Sequence, residues 1–386
     1  MTYPNSTLPM PQLLCLCTTC RLISGGPAVA YIDVPSSTGK TLEESYLKFV
    51  SNSSQSQFES EKPSADTTVS FKTLKGYDTS PGVTRYFCTK CGCHIFCRVS
   101  QPAIPEAQPS EWVVATGVVN HLEDVVDWKG FYWVDDTLDG GIGLWLPQIP
   151  TSSSDGTEVQ WKNMERQSAD KDSSPPWEPH PSLPKAEPEQ GNEPDTLSAS
   201  CLCKSIRLTI TRPNAASIQA FSPYPDLIIP YHTSSPPENP SKDAWFLRAN
   251  KTKYLAGLCT CPTCRHALGM PIQSWAFIPR CNILMEDGSA LNLDKFHRDG
   301  KLVQFSSTED TCREFCAKCG ASVFWHCGWR SDVMDVSTGL LDPAKGARCE
   351  SWLEWWNGRV SFKEIGNDGR LADGLEAGLR EWSQKI

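Results

Sequence analysis

The sequence predicts a mainly β protein in which two tandem domains of antiparallel sheets with short helices follow one another. Three observations support this prediction. Short runs of alternating apolar and polar residues are bounded by Gly, Pro or polar turns, as at residues 205–210. A chain of 386 residues is long enough for two domains, each with its own core. Cysteine motifs of the first half also recur in the same order in the second half.

The strands are expected where β-branched and aromatic residues alternate with polar ones. These positions are residues 205–210, 275–278, 302–305, 323–325 and 333–336. A helix is expected only near the end, at residues 374–382, where the apolar residues have mixed helical spacing.

Two polar stretches divide the chain further. Residues 151–196 are rich in Ser, Pro and charge, which predicts a linker between a first domain at 1–150 and a second at 197–386. Residues 51–66 are expected to be a loop inserted in the first domain.

The charge balance restricts the class of partner. A net charge of −9 without a Lys or Arg cluster works against binding to nucleic acid or to an anionic membrane. No segment has the ~20 apolar residues of a membrane span, and the N-terminus lacks the pattern of a signal peptide. We therefore expect a cytoplasmic protein that binds a small molecule, with no nucleic-acid or membrane partner. The oligomeric state is left open.

The cysteines provide the strongest chemical signal. In a reducing compartment, closely spaced cysteines are more often metal ligands or catalytic groups than disulfides. Twelve of the 18 cysteines form five clusters, which are Cys15/Cys17/Cys20, Cys88/Cys91, Cys201/Cys203, Cys259/Cys261/Cys264 and Cys316/Cys319. Such spacing brings two or three sulfurs to one ion, so zinc is favoured, with a redox dithiol as the main alternative.

The clusters also recur at a fixed offset. The segment Phe87-Cys88-Thr89-Lys90-Cys91-Gly92 precedes Phe315-Cys316-Ala317-Lys318-Cys319-Gly320 by 315 − 87 = 228 positions. The triple cluster that begins at Cys15 corresponds to the one that begins at Cys259, and Val114-Ala115-Thr116-Gly117 corresponds to Val336-Ser337-Thr338-Gly339. This pattern predicts a tandem duplication.

Together, these motifs resemble the glutathione-dependent formaldehyde-activating enzyme family, also called the centromere protein V type domain. The family pattern is Cys-x-Cys, Cys-x-Cys-x-x-Cys-Arg, Phe-Cys-x-x-Cys-Gly and Val-x-x-Gly. The second copy carries all four motifs and the first copy the last three. The end of the first copy, from Phe131 to Gly141, resembles the tandem form of filamentous fungi. The resemblance implies the Mss4-like zinc-binding fold.

The resemblance also implies two kinds of metal site. Cys201, Cys203, Cys316 and Cys319 are expected to form a closed structural site. Cys259, Cys261 and Cys264 supply only three sulfurs, which leaves a fourth position for catalysis unless His266, His232 or a carboxylate occupies it. Cys15, Cys17 and Cys20 correspond to this second set. About two zinc ions are expected in the second domain and one or two in the first.

The first copy departs from the family pattern. No Cys-x-Cys precedes Cys15, so Cys88 and Cys91 lack their expected partners. Cys93 or Cys97 are possible substitutes, or both are buried thiols. The remaining cysteines, Cys281, Cys312, Cys327 and Cys349, are expected to be isolated.

The family's activity joins glutathione to formaldehyde through a carbon–sulfur bond. The resemblance thus implies a zinc-dependent carbon–sulfur lyase or thiol-adduct enzyme acting on a small electrophile, with glutathione as co-substrate and fungal secondary metabolism as one setting. Arg265 and Arg21 follow the triple clusters and either bind a substrate carboxylate or only offset thiolate charge. No general base is identified. The alternatives are a non-catalytic zinc-stabilised binding module and a chromatin-associated protein, the latter disfavoured by the acidic balance.

Overall fold

The computed structural model describes residues 8–33, 73–100, 112–147, 160–161, 196–231 and 236–384. The first-half strands are β1 (Met10–Cys15), β2 (Tyr31–Asp33), β3 (Leu74–Ser80), β4 (Val83–Cys88), β5 (His94–Val99), β6 (Trp112–Ala115), β7 (Val126–Tyr132) and β8 (Gln160–Trp161). The second-half strands are β9 (Thr196–Ser200), β10 (Arg207–Thr211), β11 (Leu247–Arg248), β12 (Lys253–Cys259), β13 (Gln273–Pro279), β14 (Ile283–Met285), β15 (Leu302–Thr308), β16 (Thr311–Cys316), β17 (Ser322–Cys327), β18 (Arg330–Ser337) and β19 (Leu353–Trp355).

The α-helices of the described residues are few and mostly short. They are α1 (Thr18–Ser24), α2 (Ala215–Gln219), α3 (Pro262–Leu268), α4 (Leu293–Arg298) and α5 (Gly369–Ser383). The prediction of a mainly β fold with short helices is confirmed, and all five predicted strand positions fall on strands. The predicted C-terminal helix is longer than expected, because the Asp368 carboxylate accepts a hydrogen bond from the amide of Leu371 and starts α5 at Gly369.

The two largest sheets share one strand order. The first half has a five-stranded sheet in the order β2-β6-β5-β4-β3. The second half has an eight-stranded sheet that contains the matching order β13-β18-β17-β16-β15, extended at the β13 side by β12 and β11. Neighbours within each matching set are antiparallel. The parallel pairs lie outside these sets, β1 with β7, β7 with β8 and β12 with β19. The strands β1 and β12 each deliver the first cysteine of a triple cluster.

The two halves contact each other through reciprocal hydrogen bonds. The amide of Gly117 donates to the carbonyl of Gly269 at 2.9 Å, and the amide of Gly339 donates to the carbonyl of Gly25 at 3.1 Å. Fully buried Trp145 of the first half packs against Trp355 and Trp382 of the second half, with ring centroids 4.8 and 5.7 Å apart. One apolar cluster therefore contains residues of both halves. The predicted domain boundaries stay a prediction, and residues 51–66 and most of 151–196 lie outside the described ranges.

His94 lies buried between the halves, where its Nε2 is 2.9 Å from the carbonyl oxygen of Gly320. Burial lowers the pKa of His94 from 6.5 to about 4. Since the folded pKa is below the unfolded one, its contribution to stability is present above pH 6.5 and is lost as the pH falls to about 4. We expect this loss to be about 3 kcal/mol.

The substitution His94→Gln tests this linkage, because a glutamine amide can keep the bond to Gly320 but does not titrate. The free energy of unfolding, measured by chemical denaturation between neutral pH and pH 4, should fall less in this variant than in wild type. Parallel pH profiles of the two proteins would refute the assignment.

None of the described helices is long and apolar enough to cross a membrane.

Candidate metal centres

Four cysteine sulfurs converge at one place in the second half. The Sγ atoms of Cys201, Cys203, Cys316 and Cys319 all lie within 4.8 Å of one another. The sulfur of Cys203 is 3.4 Å from that of Cys201 and 3.5 Å from that of Cys316, and the sulfurs of Cys201 and Cys316 are 3.8 Å apart. Zinc–sulfur bonds of about 2.3 Å in a tetrahedron place the sulfurs about 3.8 Å apart. The group therefore fits one four-coordinate zinc ion with no position left open.

The turn between β16 and β17 holds two of these ligands. The amide of Gly320 donates to the carbonyl of Cys316 at 2.9 Å, and the amide of Cys316 donates to the carbonyl of Ala321 at 2.9 Å. Gly320 has a φ of +80°, and a Cβ there would lie 2.4 Å from the ring of Phe87 in the first half. Glycine is thus required both by the turn and by the packing of the other half.

Three sulfurs meet at a strand-to-helix junction in the second half. Cys259 ends β12, Cys261 is the N-cap of α3, and Cys264 lies in the first turn of that helix. The three Sγ atoms lie within 4.8 Å of one another. Pro262 occupies the first position of α3, which suits its fixed φ and its missing N–H. This cluster therefore joins the end of a strand to the start of a helix, in a region where the sequence had predicted short strands and turns.

The first half repeats this junction. Cys15 ends β1, and the Cys17 sulfur caps α1 by accepting from the amide of Cys20 at 3.3 Å. The sulfurs of Cys20 and Cys15 are 3.3 Å apart, and all three lie within 4.8 Å of one another. The positive end of the helix dipole favours thiolates at such a site.

A buried arginine contacts each triple cluster. Arg313 on β16 donates from Nη2 to the Cys264 sulfur at 3.3 Å, and Arg85 on β4 donates from Nη2 to the Cys20 sulfur at 2.9 Å. In each arginine, Nε and Nη1 are buried and have no hydrogen-bond partner among the described residues. Neither arginine was predicted from the sequence. The signal was present, since 313 − 85 = 228 is the offset of the flanking motifs.

In the second-half cluster, hydrogen bonds and charge favour ionisation of one of the three thiols. Hydrogen bonds from Cys259 and Cys264 lower the pKa of Cys261, and the charge of Arg313 adds to this effect. Burial raises the pKa of Cys264 to about 11, and the neighbouring sulfurs together with burial raise the pKa of Cys259. Metal binding must therefore displace the protons that these two thiols retain.

The two arginines that follow the triple clusters are engaged in buried contacts. Arg265 donates from Nη1 to the Gly117 carbonyl at 2.6 Å and from Nη2 to Asn120 Oδ1 at 3.1 Å, across the contact between the halves. Arg21 donates from Nε to the Leu16 carbonyl at 3.1 Å. These contacts favour a structural role, and carboxylate binding by Arg265 and Arg21 stays a prediction.

Among the described residues, no histidine completes a triple cluster. His266 is half-buried, and burial lowers its pKa to about 4, with the charge of Arg265 acting in the same direction. His297 and His326 both bond to the buried carboxylate of Glu314, at 2.8 and 3.1 Å. Because Glu314 follows Arg313 on β16, its side chain points to the face of the strand opposite the cluster. His232 lies outside the described residues.

Within the described ranges, the Cys88 and Cys91 pair joins no group of three or more possible ligands. The Cys93 sulfur is 3.8 Å from the His94 carbonyl and the Cys97 sulfur 3.9 Å from the Arg98 carbonyl, and neither completes a site. Cys281, Cys312, Cys327 and Cys349 are likewise in no such group within the described ranges. Cys88 and Cys91 therefore supply two sulfurs, which are too few for a closed zinc site. The missing Cys-x-Cys of the first copy implied this shortage.

One segment of the chain is similar to a known protein family. Residues 246–358 match the family model of the glutathione-dependent formaldehyde-activating enzyme. The matched segment contains the triple cluster of Cys259, Cys261 and Cys264, the pair Cys316 and Cys319, and Arg313. A comparison with curated proteins found no match. The core of the second half, including its three-sulfur group, is thus similar to this family.

Proposed function

We propose that the second half is a zinc-dependent carbon–sulfur lyase or thiol-adduct enzyme that acts on a small electrophile or on its glutathione adduct. The group at Cys259, Cys261 and Cys264 carries this proposal. It has one sulfur fewer than the closed group, it lies inside the segment similar to the formaldehyde-activating family, and Cys261 is half-buried rather than enclosed. A zinc site with three protein ligands keeps one position for a substrate.

The chemistry follows from this ligand set. When bound, zinc would lower the pKa of an incoming thiol, and the resulting thiolate is the nucleophile that adds to a carbonyl carbon. A carbon–sulfur bond forms, the carbonyl π bond breaks, and the oxygen takes up the proton that the thiol released. The reverse reaction breaks the same bond and returns the thiol.

Arg313 supports the reaction in two ways. Its bond to the Cys264 sulfur orients one ligand of the group, and its stacking over Trp275, with the guanidinium 5.5 Å from the ring centroid, holds the side chain in place. Its guanidinium also keeps a positive charge beside the cluster, which would stabilise the thiolate form of the three cysteines.

The first half is proposed to be a duplicate of the same domain that kept one metal group. The shared strand order, the triple cluster of Cys15, Cys17 and Cys20, and the contact of Arg85 with Cys20 support this. We propose one zinc in this half and two in the second. We also propose a cytoplasmic protein, with an intermediate of fungal secondary metabolism as one class of substrate.

The function is tested with the full chain and a panel of small aldehydes supplied with glutathione. Formation and cleavage of the adducts is followed by NMR, with the non-enzymatic rate subtracted. We expect turnover that requires glutathione, is lost when a chelator strips the metal, and returns when zinc is added back. Full turnover by the stripped, still folded protein would contradict a metal-dependent reaction.

A non-catalytic zinc-stabilised binding module is the second candidate. The contact of α3 with residues 116–118 of the first half favours this candidate. Because α3 carries part of the triple cluster, a metal bound there would also stabilise the contact between the halves. This candidate predicts that zinc is retained while no aldehyde or adduct of the panel turns over.

A further inference from the structure

The Cys88 and Cys91 pair has no part in the proposed reaction. All 18 cysteines of the chain lie in the described residues, and none of them brings a third sulfur to this pair. No described His, Asp or Glu supplies a third ligand either. The pair is therefore two neighbouring thiols in a turn whose second-half counterpart belongs to a four-sulfur group that could hold a metal ion.

The turn between β4 and β5 holds these thiols side by side. The amide of Gly92 donates to the carbonyl of Cys88 at 2.9 Å, and the amide of Cys88 donates to the carbonyl of Cys93 at 2.9 Å. These bonds match those of the turn at Cys316. At Cys316 and Cys319, a turn with these hydrogen bonds brings the two sulfurs within 4.8 Å of each other. Close approach of two sulfurs is the requirement for an intramolecular disulfide as well as for a metal.

The pair is also accessible, unlike its counterpart. Cys91 is half-buried and the intervening Thr89 and Lys90 are exposed, whereas Cys316 and Cys319 are both 0% exposed. A small oxidant can therefore reach the Cys91 thiol of the first half, while both thiols of the second-half turn are enclosed.

The turn also places a positive charge next to the pair. Lys90 lies between the two cysteines and is exposed, and a positive charge near a cysteine favours its thiolate form. The thiolate is the species that reacts in thiol–disulfide exchange.

We propose that Cys88 and Cys91 form a redox-active dithiol that a low-molecular-weight disulfide, such as glutathione disulfide, oxidises to an intramolecular disulfide. One sulfur of the pair attacks the external disulfide as a thiolate, forms a mixed disulfide and releases one small thiolate. The second thiol gives up its proton and displaces the other small thiolate from the mixed disulfide. In total, two protein thiols are oxidised and one external disulfide is reduced to two thiols.

The test uses the zinc-loaded full chain in buffers of varied glutathione to glutathione disulfide ratio. Free thiols are blocked after an acid quench, and the cysteine peptides are identified by mass spectrometry. We expect the disulfide fraction at Cys88 and Cys91 to exceed that at Cys316 and Cys319 by about tenfold or more, with zinc content unchanged. The turn at Cys316 is the matched internal control, because it has the same hydrogen bonds but four ligands for a metal.

Two variants make the result decisive. Cys88→Ser should stop the reaction at a mixed disulfide of glutathione on the half-buried Cys91, whereas Cys93→Ser should leave the disulfide of wild type in place. The proposal is overturned if the pair stays reduced in the most oxidising buffer, if Cys93 replaces either partner, or if Cys88→Ser releases a zinc ion that wild type holds. Each readout is independent of aldehyde turnover, so it stands apart from the proposed enzyme activity.

Discussion

Replacement of Cys316 by Ser should remove one zinc ion per chain and lower the free energy of unfolding by at least about 4 kcal/mol. Cys316 is fully buried and lies within 3.8 Å of the sulfurs of both Cys201 and Cys203. These cysteines join the segment after β9 to the turn between β16 and β17. Without the fourth thiolate, that connection loses its metal and leaves polar groups buried in the core. Metal analysis and chemical denaturation measure the two effects.

Cys312→Ser is the matched control for this variant. Cys312 lies on the same strand, β16, but belongs to no group of possible ligands within the described residues. It should retain the zinc content of wild type and most of its stability. If Cys316→Ser also keeps both, the closed four-sulfur site is wrong.

Replacement of Cys261 by Ser should also remove one zinc ion, but its main effect should be on turnover. We expect kcat/KM for the best aldehyde of the panel to fall by more than about 100-fold. The free energy of unfolding should fall less than in Cys316→Ser, because Cys261 is half-buried and its cluster lies within one short segment, from Cys259 to Cys264. Metal stoichiometry, steady-state kinetics and denaturation on one preparation separate these effects.

Cys281→Ser serves as the control here, because Cys281 is exposed and joins no metal group of the described residues. It should match wild type in zinc content and in turnover. If Cys261→Ser loses one zinc ion but keeps full turnover, the catalytic role assigned to this cluster is wrong. The binding module would then be the better account of the three-sulfur group.

The sequence by itself determined the features that depend on near neighbours. Alternation along the chain predicted the strands, because side chains of a strand alternate between its two faces. The spacing within Cys259, Cys261 and Cys264 predicted their convergence, since three ligands within six residues need only one local turn. The repeated motifs identified the positions that correspond between the halves.

Only the tertiary structure decided the features that join distant segments. It brought Cys201 to Cys316, 115 positions away, and Arg313 to Cys264, 49 positions away. These contacts depend on the order and register of strands in the sheets, which no local pattern specifies. The structure also turned Arg265 toward the other half and left Cys88 and Cys91 with two sulfurs. Spacing determines which cysteines can share an ion, whereas the packing of the sheets determines how many ligands reach it.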